Sequence, residues 1–251
     1  MYKAHADVAG CRTMIASTSQ RNGRLAVFVH GLGQQHLNAW GSLPEFLERS
    51  AAEQSPFSAW DYFFFGYDSK RDANFLELCQ LLNTELANAA RGRGFFENRY
   101  TTLALVGYSL GTIVIRQYLA ACSLRTGAPT IHSVTLLNAP LSGSLLAYGA
   151  VLAPFRGLSP KIVSELRPGS TALMMLECWT RCAYEHHRWP KPRILFGAYD
   201  PVVLNVSTNS VWEGDLNSEH LPIAHDIQEQ LRPENGRAFQ AIRDQLNLES
   251  D

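Results

Sequence analysis

The 251 residues are 46% hydrophobic and 18% charged, a composition that supports a substantial core and excludes disorder over most of the chain. Lysine and arginine (22) balance aspartate and glutamate (23), for a net charge of −1, which argues against a nucleic-acid partner and against an acidic solvating tail. In chain order, residues 1–23 show no clear period and lead to the turn signal Asn22-Gly23. They read as an irregular lead-in holding at most a short strand at 12–16. The first firm strand is 25–29, a continuous apolar run that ends in the flexible His30-Gly31-Leu32-Gly33. A helix follows over 43–52, with Ser42 as its cap and Pro44 in its first turn. An aromatic-rich strand at 61–67 precedes an amphipathic helix at 73–90. Then come a buried strand at 102–106, a helix at 112–122, and apolar strands at 133–137 and 193–196. A short strand at 210–212 and a closing helix at 239–246 complete the pattern.

Strands alternating with helices predict an α/β fold, a mostly parallel sheet with helices on both faces. The interval from Pro140 to Pro192 breaks the alternation and is too long for a plain connection. We read 141–190 as a helical cap inserted into one domain spanning 1–251. Within it, 145–155 is an almost uncharged apolar stretch, suited to core packing or to an acyl-chain surface.

Five cysteines without close spacing fit a reducing compartment rather than a disulfide framework. Val8-Ala9-Gly10-Cys11 resembles a lipoprotein cleavage site, but the residues before it include His5 and Asp7 and no apolar core. No uncharged run reaches the ~18 residues of a membrane helix. The expectation is therefore a soluble cytoplasmic protein. Cys178, Cys182 and His186 suggest a metal site, but on one helix the first and third lie about 12 Å apart along the axis. One tetrahedral ion cannot join all three, so no metal is expected.

Gly107-Tyr108-Ser109-Leu110-Gly111 matches Gly-x-Ser-x-Gly. An apolar strand runs into it and a helix leaves it, which puts Ser109 on a tight turn at the carboxyl edge of the sheet. The glycines admit neighbouring backbone, and the helix N-terminus favours negative charge there. A serine hydroxyl needs a base, and the base needs an orienting acid. With such a turn the chain order is serine, acid, histidine. Asp200 follows the strand at 193–196 and is the candidate acid, with Asp215 as its rival. Only His220 and His225 come after Asp200. His220 reads as lying on a loop at the sheet edge, and His225 as the start of the final helix, so His220 is the expected base. The backbone N–H groups of Leu110 and Leu32 are the expected oxyanion donors, and His30 shapes the loop that carries Leu32.

These segments resemble lipase-like members of the α/β-hydrolase superfamily. Val27-Phe28-Val29-His30-Gly31-Leu32-Gly33 is similar to their oxyanion loop, followed by Trp40, and Phe65-Gly66-Tyr67 to the next strand end. Leu137-Asn138-Ala139-Pro140-Leu141-Ser142-Gly143-Ser144 resembles a later strand end, with Ala139 and Leu141 where Thr and His are usual. Glu165-Leu166-Arg167-Pro168-Gly169-Ser170 resembles a piece of their caps, and Glu219-His220 with Pro222-Ile223 the surroundings of their catalytic histidine. Tyr108 replaces the histidine common before the serine. The resemblance implies the α/β-hydrolase fold, a Ser–Asp–His triad, no cofactor, and hydrolysis of a small-molecule carboxylic ester, with an acyl-enzyme intermediate expected of such a triad. An acyltransferase or thioesterase would use the same triad, and a silent binding module could share the scaffold.

Overall fold

The structure is a computed structural model and describes residues 2–7, 10–15, 23–52, 56–68, 70, 73–144, 147, 159–187, 189–197, 200, 202–203, 218–221 and 225–247. Among the described residues, eight strands form one sheet: β1 (Tyr2–Asp7), β2 (Gly10–Ile15), β3 (Arg24–Val29), β4 (Asp61–Phe65), β5 (Thr102–Tyr108), β6 (Thr130–Leu137), β7 (Arg193–Gly197) and β8 (Ser218–Leu221). Their spatial order is β1-β2-β4-β3-β5-β6-β7-β8. β2 pairs antiparallel with both β1 and β4, and every other ladder is parallel. Within the lead-in expected to be irregular, β1 and β2 thus pair antiparallel, and β2 docks on β4 through Thr13↔Phe64 and Ile15↔Tyr62. The strand expected at 210–212 lies outside the described residues.

Because side chains alternate along a strand, the sheet feeds two cores. Leu25, Val27 and Val29 of β3, Leu103 and Leu105 of β5, and Ile194 and Phe196 of β7 point to one face. That face is covered by α2 (Phe75–Arg91), α3 (Leu110–Cys122), α4 (Pro160–Glu165) and α5 (Thr171–His187). Ala26 and Phe28, Ala104 and Val106, and Leu195 point to the other, under α1 (Leu43–Ala52) and α6 (Arg237–Leu246). Local chemistry sets the helix ends. At α2, Asn74 accepts from the Glu77 N–H while Glu77 reaches back to the Asn74 N–H, a capping box, and Gly92 closes the helix at φ 62°.

Within the interval between β6 and β7, α4 and α5 join the helical layer. Ser159 Oγ donates to the Ala73 carbonyl at 2.9 Å, and Glu165 accepts from the Phe75 N–H at 2.7 Å. α5 packs on α3, where the fully buried Arg116 pairs with Glu177. Of the apolar stretch 145–155, the described residue Ala147 is buried in the α2–α5 core, and the rest lies outside the described residues.

Candidate active site

Ser109 is the single residue between the end of β5 and the start of α3. Its φ of 51° and ψ of −122° fall where an L side chain is strained, a cost of about 1–3 kcal/mol that the surroundings must hold. They do so with backbone bonds. The Ser109 N–H donates to the Leu137 carbonyl at 2.9 Å, and its own carbonyl accepts from the Thr112 N–H at 3.0 Å and the Thr112 hydroxyl at 2.7 Å. A Cβ on Gly107 would stand 2.9 Å from Thr112 backbone, and one on Gly111 would stand 2.0 Å from the Val29 carbonyl oxygen. Both glycines are therefore obligatory for the turn.

Leu110 opens α3, so its N–H belongs to the first turn, whose donors have no intrahelical partner. Leu32 is half-buried on the loop after β3. That loop passes close to the serine, since a Cβ on Gly31 would lie 3.0 Å from Ser109 Cβ. His30 holds the loop. Its Nδ1 is 2.8 Å from the Gly31 carbonyl, and its Nε2 is 3.2 Å from the Tyr67 N–H. A carbonyl only accepts and an N–H only donates, so the ring is neutral with its proton on Nδ1. Burial pushes the His30 pKa down to about 4, against the Gly31 carbonyl, which favours the proton. The ring also stacks on Tyr67 at 4.2 Å, and the Tyr67 hydroxyl donates to the His30 carbonyl.

Asp200 lies just beyond β7 with its side chain fully withdrawn from solvent. Oδ1 accepts the N–H groups of Val202 (2.8 Å) and Val203 (3.1 Å). Oδ2 meets His225 Nδ1 at 2.7 Å. Ser144 Oγ, from the loop after β6, donates to the Val202 carbonyl and ties that loop to the acid turn.

The histidine on Asp200 is therefore His225 and not the expected His220. His220 sits within β8, opposite Phe196 of β7, and its exposed ring stacks on Phe196 at 5.4 Å. A side chain inside a strand projects from a face of the sheet, whereas groups that reach a site beyond the carboxyl ends come from the loops that follow. His225 is such a group, four residues past the end of β8. It precedes the 3-10 turn Gln228–Leu231 and does not start the final helix. Its carbonyl accepts from the Tyr108 hydroxyl at 2.7 Å and from Asn138 Nδ2 at 2.8 Å, and its ring lies 5.4 Å from that of Tyr108. Tyr108 and Asn138 are site residues that sequence reasoning did not single out. The available signals were that Tyr108 adjoins the serine and that Asn138 directly follows β6. Asp215, the rival acid, lies outside the described residues.

Cys178 and Cys182 are exposed on α5, and His186 Nδ1 bonds the Cys182 carbonyl in its own helix. Among the described residues no His/Cys/Asp/Glu group is arranged to hold a metal ion, and no helix is long and apolar enough to cross a membrane.

No protein-family model and no curated protein sequence matches the chain. Solved structures do. A variant of the esterase rPPE superposes with a TM-score of 0.61 at 14% identity, covering 100% of this chain and 84% of that one. A putative hydrolase from Agrobacterium vitis S4 gives 0.58 at 14% identity over 98% and 99% of the two chains. The phospholipase PlaB from Legionella pneumophila gives 0.52 at 18% identity over 69% of this chain, and the match spans 37% of PlaB. Together with the sheet order, these likenesses show that the chain has the α/β-hydrolase fold.

Proposed function

We propose that the protein is a serine hydrolase that cleaves carboxylic esters through Ser109, His225 and Asp200, with His225 as base in place of His220. The observation that carries this reading is the 2.7 Å contact between Asp200 Oδ2 and His225 Nδ1, with His225 bonded to Tyr108, the residue before a serine held at a strained strand–helix turn. With Nδ1–H donated to the carboxylate, Nε2 is the ring atom left to accept the Ser109 proton. The alkoxide oxygen attacks the ester carbonyl, and the resulting oxyanion is met by the N–H groups of Leu110 and Leu32. The imidazolium returns its proton to the leaving alcohol, which leaves an acyl-enzyme. A water molecule, deprotonated by His225, attacks that ester and releases the acid.

The resemblance of the fold to the esterase rPPE and the phospholipase PlaB supports an ester substrate. We take 1–251 as one such domain, with the 141–190 insertion bearing on substrate choice and no cofactor required. The test is labelling with a fluorophosphonate probe together with turnover of p-nitrophenyl esters of increasing chain length. Probe attachment at Ser109, lost in Ser109→Ala with the fold retained, is the expected result. Attachment elsewhere, or equal labelling of both proteins, refutes the reading.

A further inference from the structure

The main-chain carbonyl of His225 receives two side-chain donors, one from each strand end that flanks the site. The Tyr108 hydroxyl approaches at 2.7 Å and Asn138 Nδ2 at 2.8 Å, which uses both lone pairs of that oxygen. Each donor is itself fixed. Tyr108 is the last residue of β5 and is 1% exposed. Burial raises the Tyr108 pKa, so the phenol keeps its proton throughout the working range.

Asn138 is 1% exposed and sits at φ 47°, a backbone conformation that Asn tolerates better than most residues. Its N–H donates to the Leu195 carbonyl at 2.8 Å, and its Oδ1 accepts the Gly197 N–H at 2.7 Å. One end of the Asn138 amide thus grips the end of the strand that leads to Asp200. The other end grips the residue that carries the base. The amide bridges acid and base outside their own hydrogen bond.

We propose that Asn138 and Tyr108 are positioning residues for the reaction: a two-donor clamp on the His225 carbonyl that fixes the imidazole between Asp200 and Ser109. The clamp acts on the backbone, because β8 is a short edge strand and the base lies on the loop beyond it. This inference rests on His225 being the base. It adds that the base is held by groups that touch neither substrate nor the reacting atoms.

Tyr108→Phe removes one donor and leaves the ring against His225. Asn138→Asp keeps an acceptor for the Gly197 N–H and tolerates the backbone conformation, but has no donor for His225. Tyr108→Phe is expected to lower kcat about five- to tenfold, the worth of one neutral hydrogen bond, and Asn138→Asp by more, since a buried carboxylate oxygen then faces the His225 carbonyl. KM should stay within about twofold in both, since the interaction matters for base geometry and not for substrate binding. The double variant should lose more than the product of the two, because each donor partly covers for the other.

The deciding measurement is the rate of Ser109 phosphonylation by a fluorophosphonate in the wild-type and His225→Ala backgrounds. If the clamp works through the imidazole, Tyr108→Phe and Asn138→Asp slow labelling in the first background and change nothing in the second. Equal slowing in both backgrounds means a general structural role and overturns the clamp, as does no slowing in either. If His225→Ala itself labels at the wild-type rate, the assignment of the base fails, and the clamp fails with it.

Discussion

Removing the imidazole of His225 takes away the proposed proton acceptor for Ser109, whereas removing that of His220 strips an exposed ring from Phe196. His225→Ala should reduce kcat by several orders of magnitude, and His220→Ala should leave it within about threefold, as for a surface substitution. Steady-state kinetics on a p-nitrophenyl ester decides, and a dead His220→Ala beside an active His225→Ala would reverse the assignment. Asp200→Asn keeps the two backbone bonds to Oδ1 but replaces the acceptor that orients Nδ1. By analogy with serine proteases it should cost up to ~10⁴ in kcat; retained activity within twofold would release Asp200 from the triad. His30 has a different signature. Its folded pKa of about 4 lies below the 6.5 of the unfolded chain. Between those values the unfolded ring takes up a proton and the folded ring does not, so stability falls as pH drops from 6.5 towards 4 and levels off below that. The full effect is about 3 kcal/mol. Urea unfolding at pH 7 and pH 5 should show that His30→Gln loses this dependence; the same slope in both proteins would falsify the argument.

At the scale of elements, α3 approaches the end of β3 closely at Gly111. Gly111 lies one residue inside the helix, where a methyl group would have to overlap the Val29 and His30 carbonyl oxygens at 2.0 and 2.7 Å. Neither is a flexible side chain, so helix and strand must move apart. Gly111→Ala should cost at least about 3 kcal/mol and disturb the Ser109 turn with it. Gly127→Ala is the control: nothing lies within 4 Å, and the cost is confined to its φ of 73°, about 1 kcal/mol. Thermal melts of the two variants rank them. A smaller loss for Gly111→Ala would mean that α3 can slide on β3. The α3–α5 contact makes a second demand, because Arg116 is wholly buried and burial lowers its pKa, while Glu177 raises it. Glu177→Ala leaves a buried cation without this carboxylate and should cost about 3 kcal/mol or more.

Across the whole molecule, the sheet was legible wherever a strand is covered on both faces. Leu25–Val29, Thr102–Val106 and Arg193–Phe196 are continuous apolar runs because each feeds two cores. Ser109 was legible for the same reason, as the glycine-flanked turn directly after such a run. Legibility failed at both edges of the sheet. The six residues of β1, Tyr-Lys-Ala-His-Ala-Asp, alternate weakly and carry charge, as edge strands do. At the other edge, β8 is only Ser-Glu-His-Leu, with one buried residue, Leu221. His220 was read as part of a loop where the structure has β8, and the contact with Asp200 expected of it is made by His225. His225 is recognised by what holds its carbonyl, and no periodicity in the sequence encodes that.

The order of the parts along the chain bears on when the protein can act. Ser109, the strained turn beneath it and the oxyanion loop all belong to the first half of the polypeptide, and the strands that build them are neighbours in the middle of the sheet. Asp200 and His225 come late, just beyond β7 and β8, the last two strands at one side of the sheet. During ribosomal synthesis the proposed nucleophile therefore emerges well before the proposed base exists. A nascent chain arrested between Leu137 and Asp200 carries a serine hydroxyl no more reactive than any other, so competence arrives only with the last strand and its loop. Ribosome-stalled chains ending before His225 should ignore a fluorophosphonate, while chains extended far enough for α6 to clear the exit tunnel should react.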